Sequence, residues 1–152
     1  MVPVLIVLHV LAAVVWVGGM VFAFTVLRPS VDEQDVPVKM TVLAAIFRRF
    51  FVWVWHAVII LPASGYGLIF LMYGGFGATG TAVHLMQGLG WAMIALFLAL
   101  FFGPYPPFRR AVAAEAWPDA AVHLPRIRRI ILVNLVLGVI TVAVGAAGRF
   151  WG

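Results

Sequence analysis

Four histidines are the residues of this chain best equipped for chemistry: His9, His56, His84 and His123. A neutral imidazole is the commonest metal ligand, and two on facing helices hold a haem iron or a copper ion. Their neighbours strengthen the case at one end. His9, Trp16 and Met20 recur at i, i+7 and i+11, which puts them on one face of a helix. His84, Gln87, Gly88 and Trp91 recur at i, i+3, i+4 and i+7 in the same way. A glycine beside an aromatic residue leaves room for a flat ring, and Gln87 is placed to hold a propionate or a second-shell proton. A lone histidine in a helix bundle is, even so, often a hydrogen-bonded core residue or an interfacial anchor. His123 sits beside Pro125 in a run of arginines and reads as a surface residue.

Much other chemistry is missing. The chain has no cysteine, which removes disulfides, thiolate metal sites and c-type haem attachment together. It has no nucleophile–base–acid set, no phosphate loop and no His-Glu zinc motif. Met20, Met72 and Met86 offer thioethers to Cu(I) but form no Met-rich run, and they read first as flexible packing.

The elements that position these residues are membrane helices. Of the 152 residues, 65% are hydrophobic and 10% charged, against about 25% charged in a soluble domain. Four runs carry no charge: 2–27, 50–73, 85–103 and 130–148. Each reaches or approaches the roughly 20 residues that cross a hydrocarbon core of about 30 Å. The expectation is an all-α, integral membrane, four-helix up-and-down bundle in one domain. The first run has no basic n-region and is longer than the apolar region of a signal peptide, so it reads as a retained helix.

Charge sets the orientation. Nine of the ten basic residues fall between runs one and two or between runs three and four, whereas 74–84 carries no charge. The positive-inside rule puts the basic loops in the cytoplasm, with both termini outward. Segment 38–51 is mildly amphipathic, 107–122 reads as a short surface helix, and 73–80 as a flexible loop. Phe50, Phe51, Trp53, Trp55, Phe101, Phe102, Tyr105 and Phe108 read as interfacial aromatic belts. Pro62 is expected to kink the second helix. Along the fourth, Asn134, Gly138, Thr141, Gly145 and Gly148 make one ribbon suited to close packing, in which Asn134 can also reach a buried ligand.

His9 and His84 thus belong to the outer half of the bundle, His56 and His123 to the cytoplasmic half. No Asp, Glu or Lys lies in any run, which argues against a proton pump or an ion-coupled carrier. The preferred ligand set is His9 and His84, with His56 as a further metal ligand and Trp16, Gln87, Gly88, Trp91 and Asn134 lining the site. The preferred cofactor is haem b in an electron-transfer role or a haem-dependent oxidoreductase. Copper binding or permeation is the alternative, and a non-catalytic assembly subunit the third reading. The partners are the bilayer and a redox partner or a second copy of the chain, not nucleic acid.

The segments Leu8-His9 through Trp16, Gly18-Gly19 and Met20, then Leu27-Arg28-Pro29, Ala63-Ser64-Gly65-Tyr66-Gly67, His84-Leu85-Met86-Gln87-Gly88 and Arg126 to Asn134, resemble a short branch of the copper-resistance D (CopD) family. The resemblance implies a four-helix core and copper handling at the inner membrane. The chain is also similar to the HemJ-type protoporphyrinogen oxidases, four-helix proteins associated with b haem, whose first-helix histidine His9 matches. Those proteins carry a lysine near the position of Gln87, so the intramembrane cation of that reaction is missing here.

Overall fold

A computed structural model describes residues 1–150. Helix α1 spans Val2–Asp32, α2 Val36–Tyr73, α3 Thr81–Phe102, α4 Tyr105–Ala113 and α5 Trp117–Ala147. The spans Val2–Asp32, Val36–Tyr73, Thr81–Ala113 and Trp117–Ala147 are long and apolar enough to cross a membrane. Helices satisfy their own backbone groups, which hydrocarbon demands. The fold is an all-α four-helix membrane bundle with no strand among the described residues.

Local sequence sets the helix ends and irregularities. In α1, π-helical turns occur at Val14–Gly18 and Ala23–Leu27. The second directly precedes Pro29, whose ring would clash with the carbonyl one α-turn back, and a widened turn absorbs that clash. Helix α2 has Pro37 in its first turn and stops at Gly74, whose left-handed φ of 71° lets its N–H bond Phe70 O at 3.2 Å. Pro62 lies within α2, which continues through it.

The helices outrun the charge-free segments at the basic end. Helix α2 begins at Val36 rather than at 50, since hydropathy marks where hydrocarbon ends and not where a helix does. At 38 residues it is about 57 Å long, well beyond a hydrocarbon core of about 30 Å. The expected surface helix at 107–122 is instead α4, a turn at Ala114–Ala116 and the start of α5. Glu115 takes φ 55° in that turn, and Pro118 starts the next helix.

The aromatic residues also differ from a simple belt. Trp53 and Phe102 do face outward, but Phe51, Tyr105 and Phe108 are core residues. Phe47 stacks on Phe51 at 5.6 Å, and Phe51 meets Tyr105 at 4.8 Å and Phe97 at 5.7 Å. Because the helices continue past the bilayer, the rings at this level have one another to bury against. Asp32 ties the same end together: Lys39 Nζ and Arg128 Nη2 each lie 2.6 Å from its carboxylate, and Arg28 Nε 3.5 Å.

Small residues let the helices meet elsewhere. A Cβ on Gly67 would lie 2.9 Å from Leu5 Cδ1, and one on Gly19 would strike the Phe50 ring, so α1 and α2 are in close contact. The ribbon of α5 seats the side chains of α3: Met93 over Gly138, Met86 over Gly145 and Ala82 over Gly148. Val17 of α1 reaches the same Gly138.

Candidate functional site in the neutral half of the bundle

His9 is the best-positioned imidazole. Its Nδ1 lies 2.9 Å from Ser64 Oγ on α2, and Ser64 is 2% exposed. Ser64 Oγ is also 2.5 Å from Ile60 O, a separation that requires the hydroxyl proton between the two oxygens. Its one proton spent, Ser64 must accept from His9 Nδ1–H. The bond fixes the tautomer and leaves a lone pair on His9 Nε2, the state in which imidazole binds a metal. Gly65 makes this approach feasible, because a Cβ there would sit 3.3 Å from His9 Cε1.

A second polar group joins α2 to α3. Gln87 Nε2 donates to Tyr66 Oη at 2.8 Å and Trp91 Nε1 donates to the same oxygen at 3.0 Å. Phe76 closes on Tyr66 edge-on at 5.8 Å. Gln87 and Trp91, which helical spacing puts on one face, thus share a phenol as partner, and His84 of the same face bonds elsewhere. Gly88 is open, with nothing within 4 Å of a Cβ built on it.

The remaining histidines stand apart. His84 is exposed and its Nε2 lies 3.0 Å from Thr79 Oγ1. Thr79 gives its proton to Phe76 O at 2.8 Å, so His84 donates and keeps its lone pair on Nδ1. His56 is exposed toward the basic end, where its Nδ1–H bonds Val52 O one turn back at 2.7 Å. His123 lines a shallow concavity of about 460 Å³ with Arg110 and Asp119. Among the described residues no hydrogen bond or shared partner joins His9 to His84, or His56 to either. Among the described residues no three of His, Cys, Asp or Glu form a metal cage.

Trp16 and Asn134 are buried, at 2% and 4% exposure. Trp16 meets Phe97 edge-on at 6.3 Å. Asn134 Nδ2 donates to Met93 O at 3.3 Å, while its Oδ1 has no partner among the described residues. Ser64 and Tyr66 carry the polar contacts of this half, yet their types alone did not single them out. The signal available was Ala63-Ser64-Gly65-Tyr66-Gly67 itself, two hydroxyls and two glycines inside an apolar run.

The family model described as copper resistance protein D matches residues 44–147, well over half of the chain. The match takes in Ser64, Tyr66, His84, Gln87 and Asn134, while His9 precedes it. No curated protein and no solved structure matches. The four-helix membrane architecture and the extent of the family match together make this chain a member of the copper resistance protein D family.

Proposed function

We propose that this chain handles copper in the inner membrane, binding it through His9 in the half of the bundle that faces outward. The observation that carries the reading is the bond from His9 Nδ1 to Ser64. It orients one imidazole inside the membrane and reserves its Nε2 lone pair, and outer-shell partners of this kind normally accompany metal-binding histidines. The family description supports copper as the cargo. The nine basic residues at one end support a cytoplasmic location for that end.

Haem b is the second reading. It is favoured by the open space at Gly88, where a built Cβ meets nothing within 4 Å. It calls for His9 or His84 as an axial ligand and gives the protein an electron-transfer role with a redox partner or a second copy of the chain. It ranks below copper because His9 and His84 take separate partners rather than facing one another across a shared space.

The test is an absorption spectrum and a metal analysis of the same detergent-purified protein. Stoichiometric copper without a Soret band, lost in His9→Ala with the fold retained, is the expected result. A Soret band that sharpens on reduction, in protein that takes up no copper, would establish the haem reading instead.

A further inference from the structure

Three cations share one carboxylate at the basic end. Lys39 Nζ and Arg128 Nη2 each lie 2.6 Å from Asp32 and meet the same oxygen, Oδ1, while Arg28 Nε stands 3.5 Å from Oδ2. The lysine and arginine nitrogens are therefore no further apart than twice 2.6 Å. Their side chains are only 20% and 23% exposed, so water screens the repulsion between them poorly. One carboxylate balances one of the three positive charges. Glu33 and Asp35, in the turn before α2, are exposed and enter no ion pair among the described residues.

The two closest cations also keep donors in reserve. An ammonium has three N–H groups and a guanidinium five, and Asp32 is the one hydrogen-bond or ion-pair partner of either side chain among the described residues. Lys39 and Arg128 open into one groove of about 320 Å³ between α2 and α5, whose other walls are Val36, Met40, Ala121, Leu124 and Pro125. On α5 the lining residues recur at i, i+3, i+4 and i+7, so a single helix face forms that wall. A pair of cations thus sits against apolar walls.

The depth of the cluster matches that of lipid headgroups. Arg28 directly follows the charge-free run 2–27, and Arg128 stands two residues before the run 130–148. Asp32 is five residues past the first run, about 7 Å at about 1.5 Å per residue. The headgroup layer is about 5–7 Å thick on each side of the hydrocarbon core. The cluster spans that layer, with Arg28 and Arg128 at its inner edge.

We infer that this groove binds an anionic phospholipid, whose phosphate is held between Lys39 and Arg128. The oxygens of one phosphodiester accept from both cations at once, and a guanidinium matches phosphate geometry. The headgroup alcohol is uncharged, such as glycerol, because choline or ethanolamine would bring a further cation into a cluster already in cation excess. The apolar walls cover the lipid's glycerol backbone and upper acyl chain, which a free phosphate ion lacks. The inference is independent of copper and of His9, since it concerns the opposite end of the molecule.

The experiment measures lipid retention by native mass spectrometry of the detergent-purified full chain, titrated with phosphatidylglycerol or phosphatidylcholine. Wild type is compared with Lys39→Gln/Arg128→Gln, Arg48→Gln/Arg49→Gln and Ala121→Trp. The second double variant removes the same charge from exposed positions of α2, and Ala121→Trp fills the groove without changing charge. Far-UV circular dichroism reports the fold. Wild type and Arg48→Gln/Arg49→Gln are expected to retain phosphatidylglycerol in preference to phosphatidylcholine. Lys39→Gln/Arg128→Gln is expected to bind it about 30-fold more weakly, as the loss of two cations near an anionic surface requires, and Ala121→Trp to lose it. Equal weakening in both double variants overturns the site and leaves general surface charge. Equal retention of phosphatidylcholine overturns the anionic headgroup, and displacement by millimolar inorganic phosphate overturns the lipid as occupant. Undiminished retention in a folded Lys39→Gln/Arg128→Gln overturns the proposal, and if that variant does not fold, undiminished retention in Ala121→Trp does so.

Discussion

Replacing Gly138 with alanine tests whether α1, α3 and α5 meet at that glycine. A methyl group at this position would lie 2.9 Å from Val17 Cγ2, 3.4 Å from its Cγ1 and 3.1 Å from Met93 Cε. Val17 cannot swing aside, because a β-branched side chain in a helix keeps one χ1 rotamer. Met93 can move its methyl, but only by shifting the sulfur that Thr141 Oγ1 approaches at 3.8 Å. Forcing an extra methyl into such a contact costs about 1–3 kcal/mol. Alanine also gains about 0.8–1 kcal/mol over glycine in helix propensity, which a single variant would confuse with packing. Gly88→Ala supplies the reference, since the open space there leaves only the propensity gain. Gly138→Ala is therefore expected to be less stable than Gly88→Ala by about 1–3 kcal/mol. Reversible unfolding with sodium dodecyl sulfate in mixed micelles, followed by circular dichroism, measures that difference. A Gly138→Ala protein as stable as Gly88→Ala would mean that the three helices do not converge there.

Other outcomes follow from individual contacts. Ser64→Ala frees His9 to rotate and change tautomer, so copper affinity at the His9 site should fall about 10–100-fold, measured by competition with a chromophoric chelator. Tyr66→Phe removes the acceptor shared by Gln87 and Trp91; interhelical bonds in membranes average about 0.6 kcal/mol with a maximum near 1.7, and a loss in that range in the same unfolding assay is expected. Asp32→Asn weakens contacts to three cations that are all partly exposed, so it should cost at most about 1 kcal/mol, less in high salt. Phe108, with no exposed surface, should cost about 3–5 kcal/mol when changed to alanine.

The bundle was legible because hydrocarbon imposes a simple rule on sequence: runs of about 20 residues without charge. What was not legible lies where that rule stops acting. Arg48 and Arg49 end the apolar character of α2, but the helix passes through them to Val36, with both side chains exposed. Phe51 and Phe108 read as interfacial because they flank the apolar runs, and only the extended helices show that rings at that depth have neighbours to pack against. His9 stood out as an imidazole in an apolar run. Its partner Ser64 did not, since a serine that bonds its own helix backbone is unremarkable in sequence. The wheel put Gln87 and Trp91 on one face but could not supply Tyr66, because periodicity describes one helix and the contact needs two.

The two ends of the molecule therefore differ in what they contribute. At the basic end, interlocking rings of Phe47, Phe51, Phe97, Tyr105 and Phe108 and the charge cluster at Asp32 hold four helices together. Toward the neutral end the helices meet through hydrogen bonds, His9 to Ser64 and Gln87 and Trp91 to Tyr66, and through Leu5, Met86 and Ala82 seated on glycines, with fewer fully buried side chains than at the basic end. Local opening favours regions with few buried apolar contacts, so the half that holds His9 is the half able to move without unfolding the whole. The copper site proposed at His9 would use this arrangement, since an ion must enter and leave while the scaffold stays assembled. Hydrogen exchange measured in detergent should show this gradient, with amides around Phe51 and Phe97 exchanging more slowly than those around His84 and Gln87. Equal protection at both ends would leave the entry route without a physical basis.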